Sequence, residues 1–569
     1  MWQSFEDFWR DTWRNSSLFP FEAGVVLVLL AVLAWRRKSL WPHTWWRSYL
    51  RLAARRRLSV WLVFLFTVVG HYAAEPAYVS PVPGIHDEFS YLLAADTFLS
   101  GRLANPPHPM RYFFETFHVL MEPSYVSMYP PGQGISLALG ILLTGSAIAA
   151  VWLTAAAMSA TVCWMLQQWM RPHWALTGGL ICAVRIGWFS YWANSFWGGA
   201  VAAIGGALAA GSLPKLIQKP SSRSALIFAS GLVILANTRP FEGAAFSLAV
   251  FTYLALRGRG HSFKTWVPAF KTATIIGVAG LSFMAYYNWR GTESPLVSPY
   301  LENRSRYQVH GSFYWSRSKP SQTYNHDVMH RFYNVHEEYT QRRFNFGRWP
   351  DKPLRFWAFF VGPALTFAIL GSWVCFRTVA GQFALLMLGT LFAAHLGVVW
   401  DMFPHYAAPF VGAFYLLLME SLRALTVAWR RHRIPGGVLA RVVLCSCAVM
   451  APLRSLAPAM GFPVFGETTQ TWYNYGRTCN FPRSVIEKRL NSLGGKHLIL
   501  VQYDPRHAPE MEWVYNRADI DASTVVWARY VPRPDLLARL LAYYPDRHVW
   551  IIFPDRSPNQ IFDYKELSR

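Results

Sequence analysis

The sequence predicts a mainly α, polytopic membrane protein with a small C-terminal α/β domain, and three observations predict it. Of 569 residues, 53% are apolar and 16% aromatic but only 15% charged, too greasy for a soluble globule of this length. Apolar segments of about 18 residues or more, the length that crosses a bilayer as helix, recur down to about residue 456. The basic residues behind the net charge of +23 sit in short blocks between those segments, where they set membrane orientation, so nucleic acid is not the expected partner.

Taken in order, Trp2, Phe5, Trp9 and Trp13 recur at helical spacing and predict an interfacial helix. The first apolar run, Phe21 to Trp35, ends at Arg36, Arg37 and Lys38 rather than at a small-residue cleavage site, so it reads as a span with the N-terminus outside. Further spans are expected at 58–78, 147–169, 174–192, 197–214, 224–238, 242–257, 267–287, 356–376, 381–399, 404–422 and 437–456. Cys163, Cys182, Cys375, Cys445 and Cys447 lie in or beside these segments and Cys479 stands alone, which implies neither a disulfide framework nor a CxxC metal site.

Charge decides how the segment 132–144 is read. The cluster from Arg36 to Arg57 contains no acid and belongs in the cytoplasm, so 58–78 leads outward. If 132–144 lies along the outer surface, the later blocks at Lys215, Arg257, Arg377 and Arg423 all fall inside; if it spans, all fall outside. The first choice satisfies the positive-inside rule. The chain then divides into residues 1–57 (interfacial helix, extra span and basic loop), a transmembrane domain over 58–456 with outward loops at 79–146 and 288–355, and an extracytoplasmic α/β domain at 457–569. That last domain is read from the strand-like runs HLILVQY (497–503), TVVWARY (524–530) and HVWIIF (548–553) and the helical run PDLLARLLAYY (534–544).

Two adjacent acids open the first outward loop, in GIHDEFSYLLAADTFLSGRL (84–103). Phe89, Leu92, Leu93 and Leu99 mark one face of a helix that begins at Asp87 and stops near Gly101. Acids in its first turn complement the helix dipole, a surface effect of about 0.3–1 kcal/mol, and that is the structural alternative to a catalytic pair. A second juxtamembrane helix is announced by MYPPGQGISLALG (128–140).

These stretches resemble the GT-C superfamily of integral-membrane glycosyltransferases, especially the aminoarabinose-transferase, protein O-mannosyltransferase and RgtA/B/C/D-like branch, over roughly residues 58 to 422. DEFSYLLAADTFLSG is similar to the family's DExxY/F helix, which implies Asp87 as the catalytic carboxylate and Glu88 as its neighbour in the site. YPPGQG resembles the KPPL or HPPLGK turn, with Tyr129 where the family has a basic residue near the donor phosphate. HYAAPF (405–410) is similar to the RYLLPLYP-type segment, with His405 where Arg or Lys is common. NTRPFEG (237–243) resembles TKGP, so that Arg239 would approach the lipid phosphate; a snorkelling arginine paired with Glu242 is the alternative.

The resemblance implies a GT-C-type bundle of about 11–12 spans with outward juxtamembrane helices. It further implies a polyprenyl-phosphate sugar donor and an extracytoplasmic acceptor hydroxyl on lipid, glycan or protein. Asp87 would be the base of an inverting displacement, and positive charge would meet the departing phosphate. The setting implied is a bacterial inner membrane, with the catalytic loops and C-terminal domain facing the periplasm. Some relatives use a divalent cation, here at Asp87 and Glu88, and the branch resembled often does not.

Other polar residues carry two readings each. Asn194 in SYWANSFWGG (190–199) would line a sugar subsite or belong to an aromatic belt. Glu115 and His118, three apart in YFFETFHVLMEP (112–123), would share a helical face near the site or a solvated surface. His326 and His330 in HDVMH have metal-ligand spacing without the HExxH pattern, and are otherwise solvated. Asp401 in VVWDMFPHY would pair with His405 or sit at the interface. A transporter or flippase is the competing class; only Arg185, inside an apolar run, suits it. A polysaccharide ligase or polymerase shares the donor chemistry.

Overall fold

Proline and glycine set several of the helix boundaries in this chain. The computed structural model describes residues 18–35, 43–74, 81–320, 322–339, 349–400, 402–432, 436–461, 471–472, 481–556 and 561–567. The Trp2–Trp13 stripe, the block at Arg36, Arg37 and Lys38, Asp401 and Cys479 lie outside the described residues. Contacts divide the chain into two units. One comprises Met1–Ser80, Ile148–Leu281 and Phe344–Gly476, the other Pro81–Ala147, Ser282–Arg343 and Arg477–Arg569.

The apolar segments fold as helices, among them Leu18–Trp35, Arg56–Ala74, Ala147–Trp169, Ala200–Gln218, Ser222–Ala236, Pro240–Arg257 and Phe263–Thr292. Among the described residues seven stretches are long and apolar enough to cross a membrane, running from Ala147–Trp169 to Gly437–Leu456. The chain is an integral membrane protein with a mainly helical core. Small residues let the helices of the first unit approach closely. A Cβ on Gly206 would stand 1.9 Å from the Pro409 carbonyl oxygen, and one on Gly231 2.5 Å from that of Gly205.

The expected span 174–192 is shorter and less regular than its apolar run. An α-helix over Pro172–Cys182 passes into a π-turn, Ala183–Trp188, and then leaves helix. Arg185 lies within the π-segment. Its guanidinium is 1% exposed and pairs at 3.1 Å with the fully buried Glu22. It also donates to the Val361 carbonyl at 2.8 Å and lies 4.8 Å over the Trp472 ring. Gly362 adopts φ +58°, a left-handed conformation that glycine takes without steric cost, and a Cβ there would meet the Arg185 guanidinium at 3.0 Å. Trp472 Nε1 donates to the second Glu22 oxygen at 3.0 Å, so both carboxylate oxygens are engaged.

The second unit holds the outward-loop segment with Asp87 and Glu88. Its first helix, His86–Leu99, is followed by a 3-10 turn at Arg111–Phe114 and a short antiparallel ladder of β1 (Val119–Leu120) and β2 (Val126–Ser127). The segment read as juxtamembrane forms a 14-residue helix, Pro131–Thr144, with proline in its first turn and Gly145 at φ 72° closing it. Gly134 brings it onto the first helix, since a Cβ there would lie 2.7 Å from that of Ala94.

The three apolar runs near the C-terminus form β3 (His497–Val501), β4 (Val525–Arg529) and β5 (His548–Ile552), with the helix Pro534–Tyr543 between β4 and β5. β3 pairs in parallel with both β4 and β5, His497 standing opposite Val525 on one side and His548 on the other. Every residue of β3 and β4 is buried, which fits their apolar run broken only by His497 at one end and Arg529 at the other. A short strand β6 (Ile561–Asp563), antiparallel to β5, and a helix Phe481–Leu493 complete this domain. Its core is continuous with the first helix: Phe89 and Leu93 pack in one cluster with Phe113, Leu498, Leu500, Tyr515 and Leu540.

Candidate active site

Asp87 stands in the first turn of the helix His86–Leu99, where dipole and free amides favour a negative charge. Glu88 is turned away from it. The Glu88 carboxylate accepts the backbone N–H groups of Gly84 at 2.7 Å and Ile85 at 3.3 Å, so it fixes the turn that presents Asp87.

Two side chains converge on the Oδ1 atom of Asp87. His118 Nδ1 lies 2.8 Å away, and the Tyr129 hydroxyl donates to the same oxygen. Tyr129 Oη is also 2.9 Å from His118 Nδ1, and its ring stacks on Tyr91 at 4.4 Å. His86 Nε2 approaches Asp87 Oδ1 to 3.8 Å. The three side chains remain 11–15% exposed, so solvent or a substrate reaches them.

His118 corrects one sequence expectation. Helical structure ends at Phe114, so Glu115 and His118 share no helical face; β1 begins at Val119 and His118 itself takes φ 58°. Hydrogen bonds hold this left-handed residue in place. Its N–H donates to Tyr333 Oη at 3.1 Å, and its carbonyl accepts from Ser90 Oγ at 2.7 Å and from the Met128 amide at 3.1 Å. Glu115 instead accepts from Tyr307 at 2.8 Å and Asn325 at 3.1 Å.

Electrostatics follow from this packing. Burial alone would raise the Asp87 carboxyl; His86 beside it, the His118 hydrogen bond and charge, and the Tyr129 hydroxyl together hold it well below the usual carboxylate range. Burial pushes the His86 imidazole down to about 3, with His118 acting in the same direction and Asp87 against it. His86 is therefore neutral at pH 7. Burial and then the Asp87 charge push the Tyr129 phenol well above its ordinary value, so it stays a donor.

His86, Asp87 and His118 are also the one group of three donors, among the described residues, near enough to share an ion, with ligand atoms all within 4.8 Å. His326 and His330 are not brought together in that way. His326 Nε2 is engaged at 2.6 Å by the Tyr112 carbonyl and His330 Nε2 at 3.1 Å by Asn334; His326 is the N-cap of the short helix Asp327–His330, which runs on as a π-turn over Arg331–His336.

The remaining predicted residues belong to the first unit. Arg239 caps the helix Pro240–Arg257 and its guanidinium lies 5.4 Å over the Tyr406 ring; Glu242 is buried in that helix's first turn. His405 Nδ1 is 2.8 Å from Tyr191 Oη, and its ring sits 4.8 Å from Trp197. Asn194 donates to the carbonyls of Trp188 at 2.9 Å and Ser190 at 3.0 Å, which closes the turn after the π-segment. The sequence reading passed over His86, although it stands beside Asp87; the triplet His86-Asp87-Glu88 was the available signal.

In sequence, the chain matches no family model and no curated protein. In structure it is similar to ArnT from Cupriavidus metallidurans in the apo state, an aminoarabinose transferase of the GT-C group, with 15% identity, a TM-score of 0.48, and 87% of this chain and 93% of that chain covered. It is also similar to the Archaeoglobus fulgidus oligosaccharyltransferase in complex with zinc and sulfate, with 11% identity, a TM-score of 0.48 and coverages of 87% and 67%. A third likeness is to the archaeal oligosaccharyltransferase AglB from Archaeoglobus fulgidus in complex with an inhibitory peptide and a dolichol-phosphate, with 11% identity, a TM-score of 0.45 and coverages of 86% and 69%.

Proposed function

We propose that this protein is an inverting glycosyltransferase that moves a sugar from a polyprenyl-phosphate donor to a hydroxyl of an extracytoplasmic acceptor, with Asp87 receiving the acceptor's proton. The observation that carries the reading is the Asp87 carboxylate, ionised, partly exposed and oriented at Oδ1 by Tyr129 and His118. Its second oxygen is then the one that meets an incoming hydroxyl. A carboxylate held this low is a weak base, which suits a late proton transfer. As the acceptor oxygen bonds to the anomeric carbon it becomes oxonium-like and far more acidic than any carboxylic acid, so a weak acceptor suffices.

Arg239 and His405 are the proposed donor-phosphate contacts, where positive charge offsets the charge that develops on the leaving phosphate. Glu88 acts through the backbone turn it caps. His86, Asp87 and His118 would hold a divalent ion, which when bound supplies Lewis-acid charge at the site. The transporter reading rested on Arg185, and its closed pairing with Glu22 supports a packing role instead. The proposed setting is a bacterial inner membrane with the loops that carry Asp87 facing the periplasm.

Purified protein in lipid, offered a panel of polyprenyl-phosphate sugars, tests the proposal. Wild type should turn over one donor and Asp87→Asn none, with both proteins equally folded. Full activity of the Asp87→Asn variant would remove Asp87 from the chemistry. Turnover of no donor by folded wild type would reject the donor class.

A further inference from the structure

The helix His43–Ala54 packs one face inward and leaves the other uncovered. Tyr49 Oη donates to the His173 carbonyl at 2.8 Å and lies 2.6 Å from Thr177 Oγ1, while Ala53 packs with Val63, Cys163 and Leu176. These contacts fix which side faces out. That side carries Arg47 and Arg51 one turn apart, followed by Arg55 at the helix end and by Arg56 and Arg57, all five exposed. No acid stands between Glu22 and Glu75 in the sequence, and Glu22 is committed to Arg185. Among the described residues the five guanidiniums have one side-chain hydrogen-bond partner, Ser48 Oγ at 3.3 Å from Arg51. Like charges a turn apart repel, and the dipole of the helix Arg56–Ala74 disfavours cations in its first turn; only Arg51 and Arg55 gain, from the C-terminus of the first helix. An anion that meets several of these guanidiniums at once stabilises such a surface.

The same surface is amphiphilic. Arg57 heads a row of Trp61, Leu65 and Val69, each four residues further along Arg56–Ala74 and 63, 56 and 62% exposed. Trp45, 65% exposed, stands just ahead of Arg47, and tryptophan favours the boundary between headgroups and acyl chains. We infer that the arginines from Arg47 to Arg57 bind an acidic phospholipid, with its phosphate among the guanidiniums and an acyl chain along the Trp61–Val69 row. A planar guanidinium suits that phosphate because it donates to two oxygens at once. A nucleic acid or an acidic protein segment would match the charge and leave the apolar row uncovered, so the lipid matches more of the surface. Positive charge beside a span orients it wherever each residue sits. A cationic stripe pinned by Tyr49 and joined to an apolar row adds a place for one lipid molecule.

The test is lipid binding by the full-length protein, and it does not depend on knowing the sugar donor. Delipidated protein in detergent, with an intact melting transition, is offered phosphatidylglycerol or phosphatidylcholine with the same acyl chains, and bound lipid is counted by native mass spectrometry. Phosphatidylglycerol should bind about tenfold or more tighter and raise the melting temperature, and the difference should shrink in about 0.5 M salt. Combining Arg47→Gln, Arg51→Gln and Arg55→Gln should remove the preference. These exchanges touch only exposed side chains and relieve repulsion, so the lipid-free variant should melt no lower than wild type, which is the folding control. Combining Lys488→Gln, Arg489→Gln and Arg539→Gln removes the same charge from exposed positions of the C-terminal domain and should leave the preference intact. Equal binding of the two lipids by folded wild type, an undiminished preference in the first triple variant, or its loss in the second would each overturn the proposal. Displacement of the lipid by glycerol phosphate or an oligonucleotide at equal concentration would overturn it too, since the occupant would then be a soluble anion.

Discussion

The hydroxyl of Tyr129 donates to the Asp87 oxygen that also faces His118 Nδ1. Tyr129 occupies the position where the resembled family carries a basic residue, and in this chain its phenol serves the carboxylate. Tyr129→Phe keeps the stack on Tyr91 and removes only that donor. A hydrogen bond to a charged group contributes about 1.5–3 kcal/mol, so the variant should lose roughly tenfold or more in turnover. The sign for pH follows from the depressed Asp87 carboxyl. Its stabilisation is complete above the unfolded value of about 3.9 and fades as pH falls through the folded value. Tyr129→Phe should therefore move the acid limb of both activity and stability to higher pH. A pH–rate profile and acid melts check this, and an unmoved acid limb would show that the hydroxyl does not bear on Asp87.

Arg483 joins the C-terminal domain to the helix that carries Asp87. Its guanidinium lies 4.9 Å from the Phe89 ring and 4.4 Å from the Trp527 ring, and donates to the carbonyls of Trp513 and Tyr515 at 2.9 and 2.8 Å. Phe89 stacks on Tyr515 at 4.3 Å, and Asp96 pairs with Arg517 at 2.8 Å. Deleting residues 481–569 should therefore abolish all transfer, not just change acceptor choice, because the helix carrying Asp87 loses its core. Arg483→Leu should cost about 3 kcal/mol by leaving buried acceptors unpaired. Hydrogen exchange of residues 84–99 reads both effects, and unchanged protection there would show the domain to be separable.

Most of the apolar helices and three of the four strands of the C-terminal sheet were legible because each is an apolar run whose length or residue types fix its state. HLILV and VVWAR are fully buried and could hardly be surface. What the sequence concealed were effects of partners distant in the chain. Glu88 is the local exception: it reaches back only four residues to the Gly84 amide, a turn that the acid pair alone does not announce. His118 sat three residues from Glu115, yet its left-handed backbone depends on Tyr333 and Ser90. Arg185 resembled a charge on a transport path until Glu22, 163 residues away, closed over it.

That ion pair makes its own prediction. Arg185→Met or Glu22→Gln alone should destabilise the protein by about 3–5 kcal/mol, since each leaves its partner buried and uncompensated. Combining Arg185→Met with Glu22→Leu should recover most of the loss. Melting temperatures of the three proteins in one detergent decide it. Normal stability in the single variants would mean that Arg185 is free to serve some other role.

Because Arg239 and His405 are the proposed phosphate contacts, their variants should separate binding from chemistry. Arg239 lies over Tyr406, and His405 is held by Tyr191, so each has an aromatic neighbour that orients it. If they meet the donor phosphate in both ground and transition states, Arg239→Ala raises donor KM about tenfold or more and leaves the acceptor KM unchanged. Arg239→Lys should restore charge but not the planar contact with Tyr406, and so recover activity only in part. For His405→Asn, which keeps a partner for the Tyr191 hydroxyl, a fall in kcat at constant donor KM would place the contact in the transition state alone. Kinetics with donor and acceptor varied independently distinguish these outcomes, and variants of both residues that match wild type in every parameter would move the phosphate contact elsewhere in the chain.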